Sequence, residues 1–164
     1  MAGSELSITS GLLNQKRHPK LSPYFSYIKH LPSSVSHLPI FWSEEQMRMA
    51  LQTSNMVDVL SNINENIEHA YNDGICAVID SSFCKHFSMN EYKWAIGTVR
   101  SRSFEMQNGS IVLVPFGDSL NHNATSTVSW QLKNGSIVLR ATTDLSAEKN
   151  DLELGMNYAS LDAS

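Results

Sequence analysis

The sequence predicts an α+β chain, with a helical first half packed against a small, mainly antiparallel β region. Three observations carry this. Apolar residues recur at helical spacing through Met56, Val59, Leu60, Ile63, Ile67, Ala70 and Tyr71. Two capping boxes, Ser43 with Gln46 and Ser88 with Glu91, mark helix starts. After Phe104 the texture changes. The hexapeptide "NGSIVL" occurs at 108–113 and again at 134–139, and Asn-Gly is a strong tight-turn signal ahead of strand-forming residues.

Each element follows in order. Residues 1–11 read as a tail. Prolines at 19, 23, 32 and 39 break the next stretch into short pieces. "LSPYFSYIKHLP" allows one or two helical turns, stopped by Pro32. "FWSEEQMRMAL" starts a helix at Ser43, with acids where the helix dipole favours them. The helix from Asn55 is expected to stop at Gly74, before the apolar segment "ICAVID". Ser88 opens "MNEYKWAIGTVRSRSF", whose buried stripe is Tyr92, Ala95, Ile96 and Val99. Arg100 and Arg102 close it, and by the dipole rule alone they need be no more than capping and solvated residues. Trp42 and Trp94 read as core. The flanks of the two "NGSIVL" copies differ, so they are two separate turn-to-strand entries. "LELGMNY" is the last apolar segment.

Composition sets outer bounds. One domain is the default for 164 residues, with two small lobes as the variant. Hydrophobic residues at 41% exclude a disordered composition. A net charge of −4 gives no electrostatic case for nucleic acid or an anionic membrane as partner. Cys76 and Cys84 are too few for a disulfide framework or a structural zinc site, and point to a reducing compartment. There is no long apolar core of a signal peptide and no run of about 18 apolar residues that would span a membrane. The expected location is therefore intracellular, in cytoplasm or nucleus, with a plastid left open. Glycosylation sequons at Asn108, Asn123 and Asn134 read as chance in a chain rich in Asn and Ser. Histidines 18, 30, 37, 69 and 86 lack metal-ligand spacing.

The stretch "LVPFGDSLNHN" is the densest in chemistry. Taken alone, Asp118 and Asn121 after Pro115 are turn formers, His122 is a structural histidine, and Tyr158 is a packing residue on a last strand.

Several stretches change that reading by their order. They are "SPYFSYIKHLP", "PIFWSEEQMRMALQTS", "YKWAIGTVRSRSF", "IVLVPFGDSLNHN", "IVLRATTDL" and "LGMNY". Together, over about residues 12–159, they resemble the SET-domain methyltransferases of the Rubisco large-subunit lysine methyltransferase type. That group includes relatives acting on other non-histone lysines and on an actin histidine. The resemblance implies a partial SET domain: a helical insert over 12–87, the C-terminal half of the SET core over 88–159, and a tail at 160–164. The Asn-His segment would thread beside the terminal strand in a knot-like crossing. The implied cofactor is S-adenosylmethionine. The matching positions are Arg102 and the segment Asp118, Ser119, Leu120, Asn121 and His122 for the donor, with Tyr158 as the catalytic tyrosine and no metal. The implied partner is a protein substrate offering a lysine side chain.

The chemistry suits those residue types. A free lysine at pH 7 must give up its proton before it attacks, at about 4–5 kcal/mol. A narrow apolar channel lowers that cost by desolvation, and a tyrosine can wall its mouth. Asn121 offers donor and acceptor groups to the amino-acid part of the donor. His122 would brace the crossing, and Asp118 would fix the turn or bond backbone amides. The chain departs from the pattern in several places. The Gly-x-Gly strand-turn that opens the family's SET domain has no counterpart, and the helix and second Tyr-Gly segment beyond "NYASLDAS" are missing. Gly117, Ser119 and Ala159 replace the usual residues, and "SAEKNDLE" replaces a tight turn. The expectation is a SET domain truncated at both ends, whose partial donor pocket falls short of turnover by itself. The alternative is an inactive SET remnant that serves as a protein-interaction module through its helical half.

Overall fold

The computed structural model describes residues 3–51, 55–79, 82–106, 108–122, 128–134, 136–142 and 153–154. The chain divides into two compact units, Met1–Leu113 and Val114–Ser164. The first unit takes in residues 88–113 together with the stretch expected as the helical insert.

The first unit is built on two paired helices, α1 (Gly3–Arg17) and α6 (Met89–Arg102). Residues 3–11 are not a tail. Ser, Thr and Gly make that stretch a weak helix former, but packing decides the matter: Thr9, Leu12 and Leu13 are buried. Helix α2 (Phe25–His30) is short and ends before Pro32, as expected. Helix α3 (Glu44–Ala50) starts at Ser43 with both capping-box bonds formed. Helix α4 (Met56–His69) buries Leu60 and Ile67. The chain does not stop at Gly74. It continues as a π-helical stretch over Ala70–Ile79, and Gly74 is not among the left-handed residues that end helices. A short α5 (Phe83–His86) follows.

Cys76 and Cys84 form a disulfide with their Cα atoms 5.7 Å apart. The π-helical stretch and α5 bring the two within the span a disulfide needs. The reading of two thiols in a reducing compartment did not anticipate this pairing. The expected stripe of α6 is fully buried at Tyr92, Ala95, Ile96 and Val99. Gly97 lets the 35–40 segment come close: an added Cβ would lie 2.9 Å from the Leu38 side chain. Trp94 is core and donates its indole N–H to the Pro32 carbonyl at 2.9 Å. Trp42 is only half-buried, and its indole bonds the His37 carbonyl instead.

Strands β1 (Ser103–Glu105) and β2 (Ile111–Leu113) close this unit as an antiparallel hairpin. Its turn uses Gly109 at φ 74°. The second unit holds β3 (Asn121–His122), β4 (Val128–Lys133), β5 (Ser136–Ala141) and β6 (Glu153–Leu154), in the sheet order β3-β6-β4-β5. The β4–β5 pair is an antiparallel hairpin in which Lys133 faces Ser136 and Asn134 takes the positive φ, 51°. The two "NGSIVL" copies thus enter two unrelated hairpins, with the left-handed residue at Gly109 in one and at Asn134 in the other.

Candidate functional site

Arg102 is the last residue of α6. The helix is fixed at its start by Ser88, whose hydroxyl accepts from the Glu91 N–H while the Glu91 carboxylate accepts from the Ser88 N–H. The chain then leaves straight into β1, with the Ser103 N–H donating to the Val99 carbonyl. Arg102 is half-buried there. The neighbouring Arg100 has a defined role that the sequence reading missed. Its Nε donates to Glu5 Oε1 at 2.6 Å and its Nη2 to Glu5 Oε2 at 3.3 Å, a bidentate clamp from α6 to α1. Once residues 3–11 are helical, Glu5 in the first turn of α1 is the signal that would have found it.

The segment matched to the donor site lies in the second unit. Phe116 turns the chain with φ 64°, and Gly117–Ser119 make one turn of 3-10 helix. Backbone N–H groups of Asp118, Ser119 and Leu120 donate back to Val114, Phe116 and Gly117. Gly117 is buried against Val114, whose Cγ1 would lie 2.8 Å from an added Cβ. Asp118 is half-buried with its Oδ1 closed off from solvent, while Ser119 is exposed. The chain extends at Leu120 and runs as β3 through Asn121 and His122. Asn121 stands opposite Glu153 and His122 opposite Leu154 in a parallel pair, and β6 also pairs in parallel with β4. The structure thus joins Asp118 to His122 on one turn-and-strand segment. Arg102 belongs to the other unit, and Tyr158 lies outside the described residues.

A second feature sits in the helical unit. A cleft of about 260 Å³ is lined by Lys16, Phe41, Glu91 and Trp94 among others. Lys16 Nζ stands 3.4 Å above the centroid of the Trp94 ring, a cation–π contact. Burial lowers the Lys16 ammonium from its ordinary value, and Glu91 pulls it back up. The Glu91 carboxyl is held below the usual range first by the Ser88 backbone bond and then by the Ser88 side chain. Among the described residues, no group of three His, Cys, Asp or Glu side chains is placed to hold a metal ion. No described helix is long and apolar enough to cross a membrane.

No protein-family model matches the chain. The chloroplastic fructose-bisphosphate aldolase-lysine N-methyltransferase of Arabidopsis thaliana is 24% identical over 135 residues, 78% of this chain. The chloroplastic Rubisco large-subunit N-methyltransferase of Nicotiana tabacum is 29% identical over 126 residues, 74% of the chain. The actin-histidine N-methyltransferase of Danio rerio is 27% identical over 144 residues, 81% of the chain. The chain spans 24–28% of the length of these relatives. Among solved structures, Rubisco LSMT bound to AdoMet (S-adenosylmethionine) matches with a TM-score of 0.60 and 25% identity, covering 77% of this chain and 30% of that one. The expected SET-type α+β fold is borne out by this likeness. Each relative named is a methyltransferase acting on a protein, and the reading as a non-catalytic interaction module gains no support from them.

Proposed function

We propose, from the premise that this chain belongs with the SET-domain methyltransferases of the Rubisco large-subunit type, that it is donor-binding sequence of a protein N-methyltransferase. The donor is S-adenosylmethionine and the acceptor is a side-chain nitrogen of a non-histone protein, in the first instance lysine. The expected workplace is intracellular, in cytoplasm, nucleus or plastid.

The residues present suit that donor by their chemistry. Asn121 carries both a donor and an acceptor for an amino-acid moiety, and its strand fixes the backbone that presents it. Asp118 and Ser119 hold the turn before it, and Leu120 starts the extended run that His122 ends. Arg102 enters this reading by its sequence match alone. When bound, S-adenosylmethionine supplies a methyl group on a sulfonium, open to in-line displacement by a neutral amine. This chain's part is to orient that encounter and keep water out. Tyr158 would wall the acceptor channel with its ring and turn its hydroxyl oxygen toward the polarised methyl.

The observation that carries the reading is the parallel pairing of Asn121–His122 with Glu153–Leu154. It sets the matched segment beside the strand that leads, four residues on in sequence, to Tyr158. The test is calorimetry with S-adenosylmethionine on the 164-residue chain. Weak binding at millimolar donor is expected, lost in Asn121→Ala and kept in Tyr158→Phe. Any transfer that the wild type makes from radiolabelled donor to proteins of a cell extract should be lost in Tyr158→Phe. Absence of heat at millimolar donor overturns donor binding by this chain.

A further inference from the structure

The net charge of −4 conceals a strong asymmetry within the helical unit. Residues 6–43 hold Lys16, Arg17, Lys20 and Lys29 and not one carboxylate. Residues 44–73 hold six carboxylates against Arg48 alone. Both stretches expose apolar side chains beside their charges. On the basic side, Leu21 is 85% exposed, with Tyr24 and Phe25 near half. On the acidic side, Met49 is 68% exposed, with Met56 and Val59 near 40%. Helical spacing puts Asp58 and Glu65 on one outer stripe of α4, opposite the buried Leu60 and Ile67, with the exposed Val59 on the flank. Lys20, Lys29, Asp58 and Glu65 are all exposed, and no ion pair among the described residues joins the basic group to the acidic one.

We propose that the basic Lys20–Lys29 face of one copy docks on the acidic α3–α4 face of a second copy of this chain. Charge complementarity selects the occupant. Glu44, Asp73 and Glu68 are paired with Arg48, His69 and Lys93. That leaves Glu45, Asp58 and Glu65 outside those pairs to meet Lys20 and Lys29, with exposed apolar side chains on both stretches. Methionines at 49 and 56 suit an adaptable contact. The two faces differ, so the interface is heterologous and joins copies head to tail. The inference concerns the helical unit alone and stands independently of donor binding.

Sedimentation of the whole chain tests it, with charge reversal as the control. The wild type should self-associate at micromolar concentration in about 50 mM salt. Raising salt to about 500 mM, where the screening length falls below about 5 Å, should weaken that association at least about tenfold. Lys20→Glu with Lys29→Glu should sediment as a single copy, and so should Asp58→Lys with Glu65→Lys. Mixing these two double variants pairs one native junction and one with both charge sets swapped, so the mixture should associate where neither variant does alone. All four positions are exposed, so the variants should keep the wild-type unfolding midpoint, and a circular dichroism melt confirms it. A wild type that stays single at high micromolar concentration in low salt overturns the proposal. So does self-association that survives both reversals, or a mixture that does not pair.

Discussion

Replacing Tyr92 by Phe asks what holds α6, the helix that ends in Arg102. The Tyr92 side chain is fully buried, its ring centroid lies 5.4 Å from that of Tyr71, and its hydroxyl has no hydrogen-bond partner among the described residues. A buried hydroxyl left unpaired costs about 1–3 kcal/mol. Phe keeps the ring and removes that cost, so Tyr92→Phe should match or exceed wild-type stability at neutral pH. The alkaline limb is more specific. Burial first, with Glu5 adding, pushes the phenol up from the ordinary 10.0 to about 12, against an opposing pull from Arg100. The unfolded chain therefore loses this proton near pH 10 while the folded chain still holds it. Stability is fully present below pH 10 and falls as pH rises toward about 12. Two pH units at 1.36 kcal/mol each put the whole effect at roughly 2–3 kcal/mol. Urea unfolding followed by far-UV circular dichroism between pH 7 and 11.5 measures it. Wild type should lose stability across the upper part of that range, and Tyr92→Phe should lose less by that increment. Tyr71, whose phenol burial also raises, titrates in both proteins. A variant that is more than about 1 kcal/mol less stable at neutral pH, or that declines as steeply as wild type, refutes the reasoning.

Three other changes give clear expectations. Ser88→Ala removes the α6 cap and should cost about 1 kcal/mol by urea unfolding. Ser88 is also the main cause of the lowered Glu91 carboxyl. That contribution is present above the ordinary value of 4.5 and lost as pH falls through the lowered one, so the variant should show a shallower acid limb between these values. Gly117→Ala would set a Cβ 2.8 Å from Val114 Cγ1 and should cost about 1–3 kcal/mol, with partial relief in the double variant carrying Val114→Ala. Thiol titration should find no free cysteine until the chain is reduced. Reduction should then lower stability by about 2–3 kcal/mol, the loop-closure value for a short ring.

The helical half was legible where local chemistry decides structure. Ser43 with Gln46 and Ser88 with Glu91 are self-contained signals, and both boxes form as read. The α6 stripe was legible because its four residues fall at helical spacing, and all four are buried. Residues 3–11 were not, since their helix rests on packing of Thr9, Leu12 and Leu13 rather than on propensity. Gly74 misled because glycine stops a helix only when its backbone turns left-handed, and nothing local forces that. The Glu5–Arg100 clamp and the Cys76–Cys84 bond are tertiary facts, invisible until the elements meet. In the candidate site, the run Asp118–His122 was singled out by the order of the matching stretches, while its pairing with Glu153–Leu154 required the topology.

That topology sets an order of assembly. Strand β6 lies between β3 and β4 in the sheet, yet it follows both in sequence, starting at Glu153 where β4 ends at Lys133. Synthesis runs from the N-terminus, so the helical unit and the β4–β5 hairpin can form while β6 is still inside the ribosome. The hairpin is a local contact and closes early, whereas the two parallel pairings are the distant ones and must wait. Until β6 arrives, Asn121 and His122 lack the strand that braces them. The segment matched to the donor is therefore among the last pieces of the second unit to take shape, and a nascent chain stalled before Glu153 would carry folded helices and an unbraced Asn121–His122.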